Sequence, residues 1–431
     1  MGYKRPAMKR EKQAPSAPLL RRASVGSSVD KAVASVGVID AWTALRQPAV
    51  ATLRRMGIDD LLHDARLVRE ALRTLEMPHG RFLKMSASRR AELLWNHLFV
   101  ERSALSLATG SVLGSLRGLG LTPRRGDLAK VRRWFASKKP EWLVDKVFEV
   151  AGIHSVVAVV DPFDETERRR WLRGLPIDPR FRNSLSVDTL LFDWPRASRL
   201  LEEWGYGVAL DFGGDTLEEV RRFLAEWSER TAPVHLSATF PPTFRFPYSG
   251  PAALLLEQAV LVECGRLERP FAAAVGEIEA ESPLLHHAGE AGRVANLEPL
   301  ENLAGQFPEK SFLLAAAAIG NAEELTARAS ILPNLHPVGL GVGPEDSEAT
   351  ALFEQRLATL GATFTPFASR ACVLDQLIPA WAAARGAVKT VLTEHYGRLA
   401  DSGLGVTRLD VERDVGALLG GSFLRFTGAR N

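Results

Sequence analysis

The sequence predicts an α/β protein, a (β/α)8 TIM-type barrel with a helical insertion after its first strand. Three observations carry this. Eight short runs are apolar on both faces, amphipathic helical patterns follow most of them, and one long irregular gap separates the first run from the second. Runs apolar on both faces suit strands of a covered parallel sheet, and eight strand–helix units close into a barrel.

The runs are Val36–Asp40, Ser155–Asp161, Phe181–Val187, Pro233–Thr239, Pro270–Gly276, Ser311–Ile319, Leu335–Val342 and Ala362–Phe367. Tyr206–Asp211 is a ninth candidate. Helical spacing predicts helices over Thr216–Glu229, Ala252–Cys264, Asn321–Ala329 and Glu345–Leu360. Between Asp40 and Ser155 the helical segments are Ile58–Leu75, Ser88–Leu105, Leu128–Ser137 and Trp142–Ala151. Pro78, Gly80, Gly118, Gly120, Pro123 and Pro140 punctuate them. Residues 58–151 therefore form a helical insertion within a barrel domain spanning 35–431.

Residues 1–34 are rich in Lys, Arg, Pro, Ser and Ala and carry little patterning, so they are expected to be a disordered basic tail. Its first 22 residues hold seven cations (Lys4, Arg5, Lys9, Arg10, Lys12, Arg21, Arg22) against Glu11 alone. With a chain total of +3, the remaining body is mildly acidic. That argues against a specific nucleic-acid groove and leaves the tail as the element suited to an anionic partner. Arg21-Arg22-Ala23-Ser24-Val25 matches a basophilic kinase site, although an exposed basic linker is the favoured reading.

Of 431 residues, 46% are apolar, ample for a large core. No apolar run approaches a membrane span, and no apolar core backs the N-terminal charges as in a secretory signal. Cys264 and Cys372, the two cysteines, make neither a disulfide framework nor a CxxC motif and fit a reducing cytoplasm.

Several motifs recur in one order: Leu93-Leu94-Trp95 through Phe99-Val100-Glu101-Arg102, Ala151-Gly152-Ile153, Asp161-Pro162-Phe163-Asp164, Arg180-Phe181 with Asp188, Phe364-Thr365-Pro366, Val373 through Ile378, and Glu412-Arg413-Asp414-Val415 through Phe423. Together they resemble the uronate (glucuronate) isomerases, barrels of the amidohydrolase type, over roughly residues 36–427. The resemblance implies proton movement between C2 and C1 of an open-chain sugar acid, with a divalent metal polarising the carbonyl and an arginine holding the carboxylate.

The residues expected at the family's site are replaced here. Where the family begins Asp-x-His-x-His, this chain has Asp40-Ala41-Trp42-Thr43-Ala44. Ser186 stands for an arginine, Glu323 for a histidine, Gly341-Val342 for a tryptophan pair, and Arg370 and Cys372 for Asp-x-Arg. Indole nitrogen only donates, and a guanidinium repels a cation. No metal, no cofactor and no catalytic residue is expected. The expectation is a catalytically degenerate barrel with a binding or structural role, as a homo-oligomer or beside an active homologue; the alternative is an active isomerase with a rearranged site. Such a site would need several polar groups converging at the strand ends, which the sequence does not display.

The substrate-binding candidates at the barrel mouth are Asp40, Asp161 and Arg370. For Asp161 the rival reading is a helix cap. Arg370 is either an anion binder or, as preferred, the partner of Asp161 or Asp40 in a filled site. Asp188 reads as structural, and His235 as a core histidine facing the interior. Alanines at 272–274 and 315–318 leave internal space unless large side chains such as Trp42 fill it.

Overall fold

The computed structural model describes residues 18–46, 57–174, 176–241, 244–248, 250–275, 294–316, 318–339 and 347–429. Seven strands lie in one sheet in sequence order, every neighbouring pair parallel: β1 (Val38–Asp40), β2 (Ile153–Val160), β3 (Phe181–Ser186), β4 (His235–Phe240), β5 (Phe271–Val275), β6 (Phe312–Ala316) and β7 (Leu335–Val338). Each falls within or beside a predicted run.

The eighth run pairs with β7 through a bridge between Val338 and Thr365, where Gly339 N–H donates to Thr365 O and Thr365 N–H to Pro337 O. A Cβ on Gly339 would lie 1.5 Å from Pro366 O, so the close approach of the two segments requires glycine there. The ring then closes onto the extension of β1, as Arg370 N–H donates to Trp42 O and Ala44 N–H to Ala371 O. Tyr206–Asp211 is not a strand: Leu210 O accepts from Trp194 Nε1, holding that segment as a turn against the helix Trp194–Glu203.

Strand alternation explains the two-faced burial. Phe271, Ala273 and Val275 of β5, and Phe312 and Leu314 of β6, pack outward under the helices, while Ala272 and Leu313 belong to the barrel interior. On β3 and β4 the interior positions are polar, with Ser184 Oγ meeting His235 Nδ1 at 3.0 Å and Ser237 Oγ at 2.7 Å. Small interior residues leave room that aromatic rings fill from both ends. Phe423 enters from the C-terminal helix Ser422–Thr427, and Trp42 enters from the opposite side. The buried ring of His235 lies 5.8 Å from Trp42 and 6.3 Å from Phe423. The expected core histidine is therefore the middle of an aromatic column.

Residues 58–151 are divided into short helices. Asp64 caps a new helix at Arg66 N–H and splits the predicted Ile58–Leu75 segment, and Leu107–Gly118 is a helix despite its glycines. It packs on the long helix Leu377–Asp401, and Gly114 and Gly118 admit Pro379 and Ile378 of that helix at close range.

The expectation of a disordered tail through residue 34 is corrected from Arg22 onward. Arg22–Ser35 is a helix whose Val25, Val29, Ala32 and Val33 are buried against Leu377–Asp401 and Arg408–Gly416. Four small or β-branched side chains at helical spacing gain enough from that groove to order the segment, although the helix alone has weak amphipathicity. Ser24 sits in its first turn, its Oγ bonded to the Arg21 backbone. Residues 1–17 lie outside the described residues.

Candidate functional site at the barrel mouth

The C-terminal ends of the strands form two dissimilar halves. On the β1–β4 side, the extension of β1 runs along β2, anchored by Thr43 Oγ1 donating to Val157 O (2.6 Å) and Val159 N–H donating to Leu45 O. It delivers Arg46 among three carboxylates. Arg46 Nη1 lies 3.4 Å from Glu167 Oε2 and 3.8 Å from Asp161 Oδ2. Asp188 completes the group, its two oxygens accepting from Thr239 N–H (2.6 Å) and Ser186 Oγ (2.8 Å).

Burial out of water raises all three carboxyls above the ordinary range, opposed by Arg46 and by backbone donors. Glu167 rises to about 7. It is 6% exposed, accepts from Asp161 N–H at 2.7 Å through Oε2, and keeps Oε1 buried without a hydrogen-bond partner. The polar convergence that the sequence did not display is present here. Arg46 and Glu167 were missed because neither lies at a position that the family motifs mark. The legible signal was Asp164, which caps the helix Glu165–Leu172 at Glu167 N–H and so turns the Glu167 side chain back toward the strand ends.

On the side of β5, β6, β7 and the eighth run, the described residues lining the mouth are apolar apart from Arg370. Trp42, Ala274, Val275, Ala315, Ala316, Gly339, Ala368 and Arg370 enclose a cavity of about 10 Å³. That is room for a single water-sized occupant. Arg370 takes a left-handed backbone conformation (φ 54°), and burial lowers its guanidinium to about 10, below the ordinary arginine range.

The three sequence candidates separate. Asp161 lies at the end of β2 on the interior side and caps the following turn by accepting from Phe163 N–H at 2.9 Å. Arg370 sits at the mouth on the opposite half. Asp40 does not face the mouth. Between the interior residues Ile39 and Ala41, it points outward to the helix layer, fully buried, accepting from Trp381 Nε1 at 2.8 Å and from Ser369 N–H. Burial pushes its carboxyl up to about 6 against those donors. The preferred pairing of Arg370 with Asp161 or Asp40 is also corrected, because Asp161 pairs with Arg46 and Asp40 with Trp381 and Ser369. The extension of β1 brings Arg46 nearer to Asp161 than the far side of the mouth allows.

Other substituted positions are placed as follows. Ser186 serves Asp188. Glu323 is exposed on the outer surface of the helix Ile319–Ala329, while neighbouring Asn321 is buried and grips Ala295 through two 2.7 Å bonds. Cys372 is half-buried, its N–H donating to Gln376 Oε1. Gly341-Val342 and the adjacent histidines His286 and His287 lie outside the described residues. Among the described residues, no three His, Cys, Asp or Glu side chains group so as to hold a metal ion. No described helix is long and apolar enough to cross a membrane.

A closed parallel barrel with polar groups gathered at its C-terminal strand ends is the architecture of barrel enzymes, whose chemistry resides at that face. The chain matches a uronate isomerase from Bacillus halodurans C-125 with a TM-score of 0.90 and 33% identity, covering 96% of this chain and 98% of that one. The chain therefore belongs to the uronate isomerase family. A uronate isomerase from Thermotoga maritima (TM-score 0.69, 10% identity, 95% and 98% covered) and a glucuronate isomerase from Caulobacter crescentus (0.68, 14%, 99% and 99%) share the fold. Neither a family model nor a curated protein matches the chain.

The divalent metal that the resemblance implies does not suit the residues present. Trp42 offers an N–H donor where a ligand lone pair is required, Ala44 offers nothing, and Arg370 brings a positive charge. No step of a reaction is routed through a metal here.

Proposed function

We propose that this chain is a catalytically degenerate uronate-isomerase barrel retained for a binding or structural role. The observation that supports it is the indole of Trp42 beside a cavity of about 10 Å³, where the described residues leave no room for a sugar acid. The carboxylate-rich half of the mouth adds a second obstacle, since three acids outnumber the two arginines that act on them, Arg46 and Arg196, and disfavour an anionic substrate. The test is incubation of the purified protein with D-glucuronate or D-galacturonate in D2O, with and without Zn²⁺ or Mn²⁺, followed by proton NMR beside an active family member. The expected result is no deuterium uptake and no ketose signal while the control turns over. Exchange at the reacting carbon overturns the reading.

One observation favours a second reading, an active uronate isomerase working through a rearranged site. Burial pushes the Glu167 carboxyl up to about 7, in the range useful for proton transfer, and its Oε1 has no hydrogen-bond partner. If exchange is seen, loss of it in Glu167→Gln assigns the proton transfer to that carboxyl. A cytoplasmic location, self-association or association with an active homologue, and an anionic partner for the basic N-terminal segment belong to the same proposal. Size-exclusion chromatography with light scattering tests self-association.

A further inference from the structure

We propose that the turn joining the helices Leu128–Ala136 and Pro140–Ala151 is a docking surface for a linear acidic glycan with one carboxylate per sugar. Lys130, Arg133, Lys138 and Lys139 supply its charge, and Trp134 and Trp142 its rings. This deepens the binding role proposed above, and it rests on that reading only in taking a uronic acid as the sugar.

Charge is the first observation. Residues 124–139 hold seven cations and one acid, although the chain beyond its first 22 residues is acidic overall. Exposed arginines elsewhere sit in helical ion pairs, as Arg169 does with Glu165, Arg222 with Glu219 and Glu226, and Arg408 with Glu412. Here Arg132 takes Asp59 and Glu92, while among the described residues no carboxylate pairs with the four cations of the surface. Of the nearby acids, Asp127 accepts from Arg124 N–H, Asp145 pairs with Arg180, and Glu141 is exposed beside Trp142. Like charges crowded on one face repel each other, and a polyanion relieves that repulsion.

The rings are the second observation. Trp142 is 42% exposed, and Trp134 meets it edge-on, with centroids 6.0 Å apart and planes at 70°. Lys138 Nζ lies 5.2 Å from the Trp134 centroid and 5.0 Å from that of Trp142, so a cation is fixed beside both rings. The C–H face of a pyranose can lie on the exposed indole while its carboxylate meets that ammonium. Lys130, Arg133 and Trp134 share one helix face by their spacing, and Lys139 stands three residues before Trp142, so charge continues on both sides of the rings. The 70° between the planes favours a glycan over a single-stranded nucleic acid. Stacked bases are parallel and call for parallel platforms, whereas successive sugars turn about the glycosidic bond.

Fluorescence anisotropy of an end-labelled oligogalacturonate, titrated with the full chain, tests the proposal. Saturable binding is expected, weakened about tenfold in the double variant Arg133→Gln, Lys139→Gln and by a similar factor in Trp142→Ala. All three side chains are exposed, and circular dichroism checks that the variants keep the fold. With the unmodified protein, the methyl-esterified oligomer should not compete, and an oligothymidylate of equal length should compete about tenfold less well. Absence of binding overturns the proposal. So does binding that the surface variants keep, which assigns it to the basic residues 1–22, or equal competition by the oligothymidylate. The D2O exchange experiment reads the barrel mouth and this one reads the insertion, so either reading can fail alone.

Discussion

Arg46→Met isolates the charge that holds the carboxylate half of the mouth together. Methionine keeps most of the aliphatic stem, so the change removes the guanidinium with little loss of packing. Breaking a buried ion pair typically costs about 3–5 kcal/mol, because the partner is left charged in a poor solvent. Two features reduce that figure. The contacts, at 3.4 and 3.8 Å, are longer than a good charge-assisted bond, and the Arg46 side chain is 31% exposed, so water screens part of the interaction. We expect a loss of about 2 kcal/mol at pH 8.

The loss should depend on pH. Burial raises Glu167 to about 7 even with Arg46 present, so removing the cation raises it further. At pH 5.5 the carboxyl carries a proton in the folded state and has little charge left for Arg46 to neutralise. The loss there should shrink to about 1 kcal/mol or less. Urea denaturation at both pH values, followed by circular dichroism, measures the difference. An equal loss at pH 5.5 and 8, or a loss below about 0.5 kcal/mol at pH 8, would refute electrostatic anchoring of the β1 extension.

Glu167→Gln should act in the opposite direction. The folded-state carboxyl is raised from 4.5 to about 7, so the native protein holds a proton that the unfolded chain has lost, and stability falls as pH rises through that window. The variant should gain up to about 3 kcal/mol at pH 8 and change little at pH 4, less whatever the amide loses against Asp161 N–H and Arg46. Trp381→Phe removes the indole donor to Asp40 and should cost about 1–2 kcal/mol at pH 8 by urea titration, less below pH 5 where Asp40 is protonated. Phe423→Ala empties the lower end of the interior column and should cost about 3–5 kcal/mol by the same measurement, with the cost independent of pH between 5 and 8.

Asp161, Asp40 and Arg370 show how far a site can be read from a chain. All three lie near strand ends, which periodicity locates. Which way each side chain points depends on strand alternation and on irregularity after β1, where the register shifts between Val38 and Ile39. Asp161 keeps the interior parity and reaches the mouth. Asp40 has the opposite parity and is spent on Trp381, a partner distant in sequence on the last long helix. No local pattern announces that contact.

The sequence by itself determined the barrel fold class and the family resemblance, because apolar runs and turn residues are local signals repeated along the chain. It also gave the residue types Trp42, Ala44 and Arg370, which the resemblance matches to the family's ligand positions, since the identity of a side chain needs no coordinates. Only the tertiary structure decided that Arg22–Ser35 is ordered, because its weak apolar stripe becomes stable only against two C-terminal helices. Only the tertiary structure gathered Arg46, Asp161, Glu167 and Asp188, from the ends of three strand units, into one buried group. The raised carboxyls of Asp161, Glu167 and Asp188 come from shared burial and mutual charge, which are properties of the folded arrangement and of no single residue.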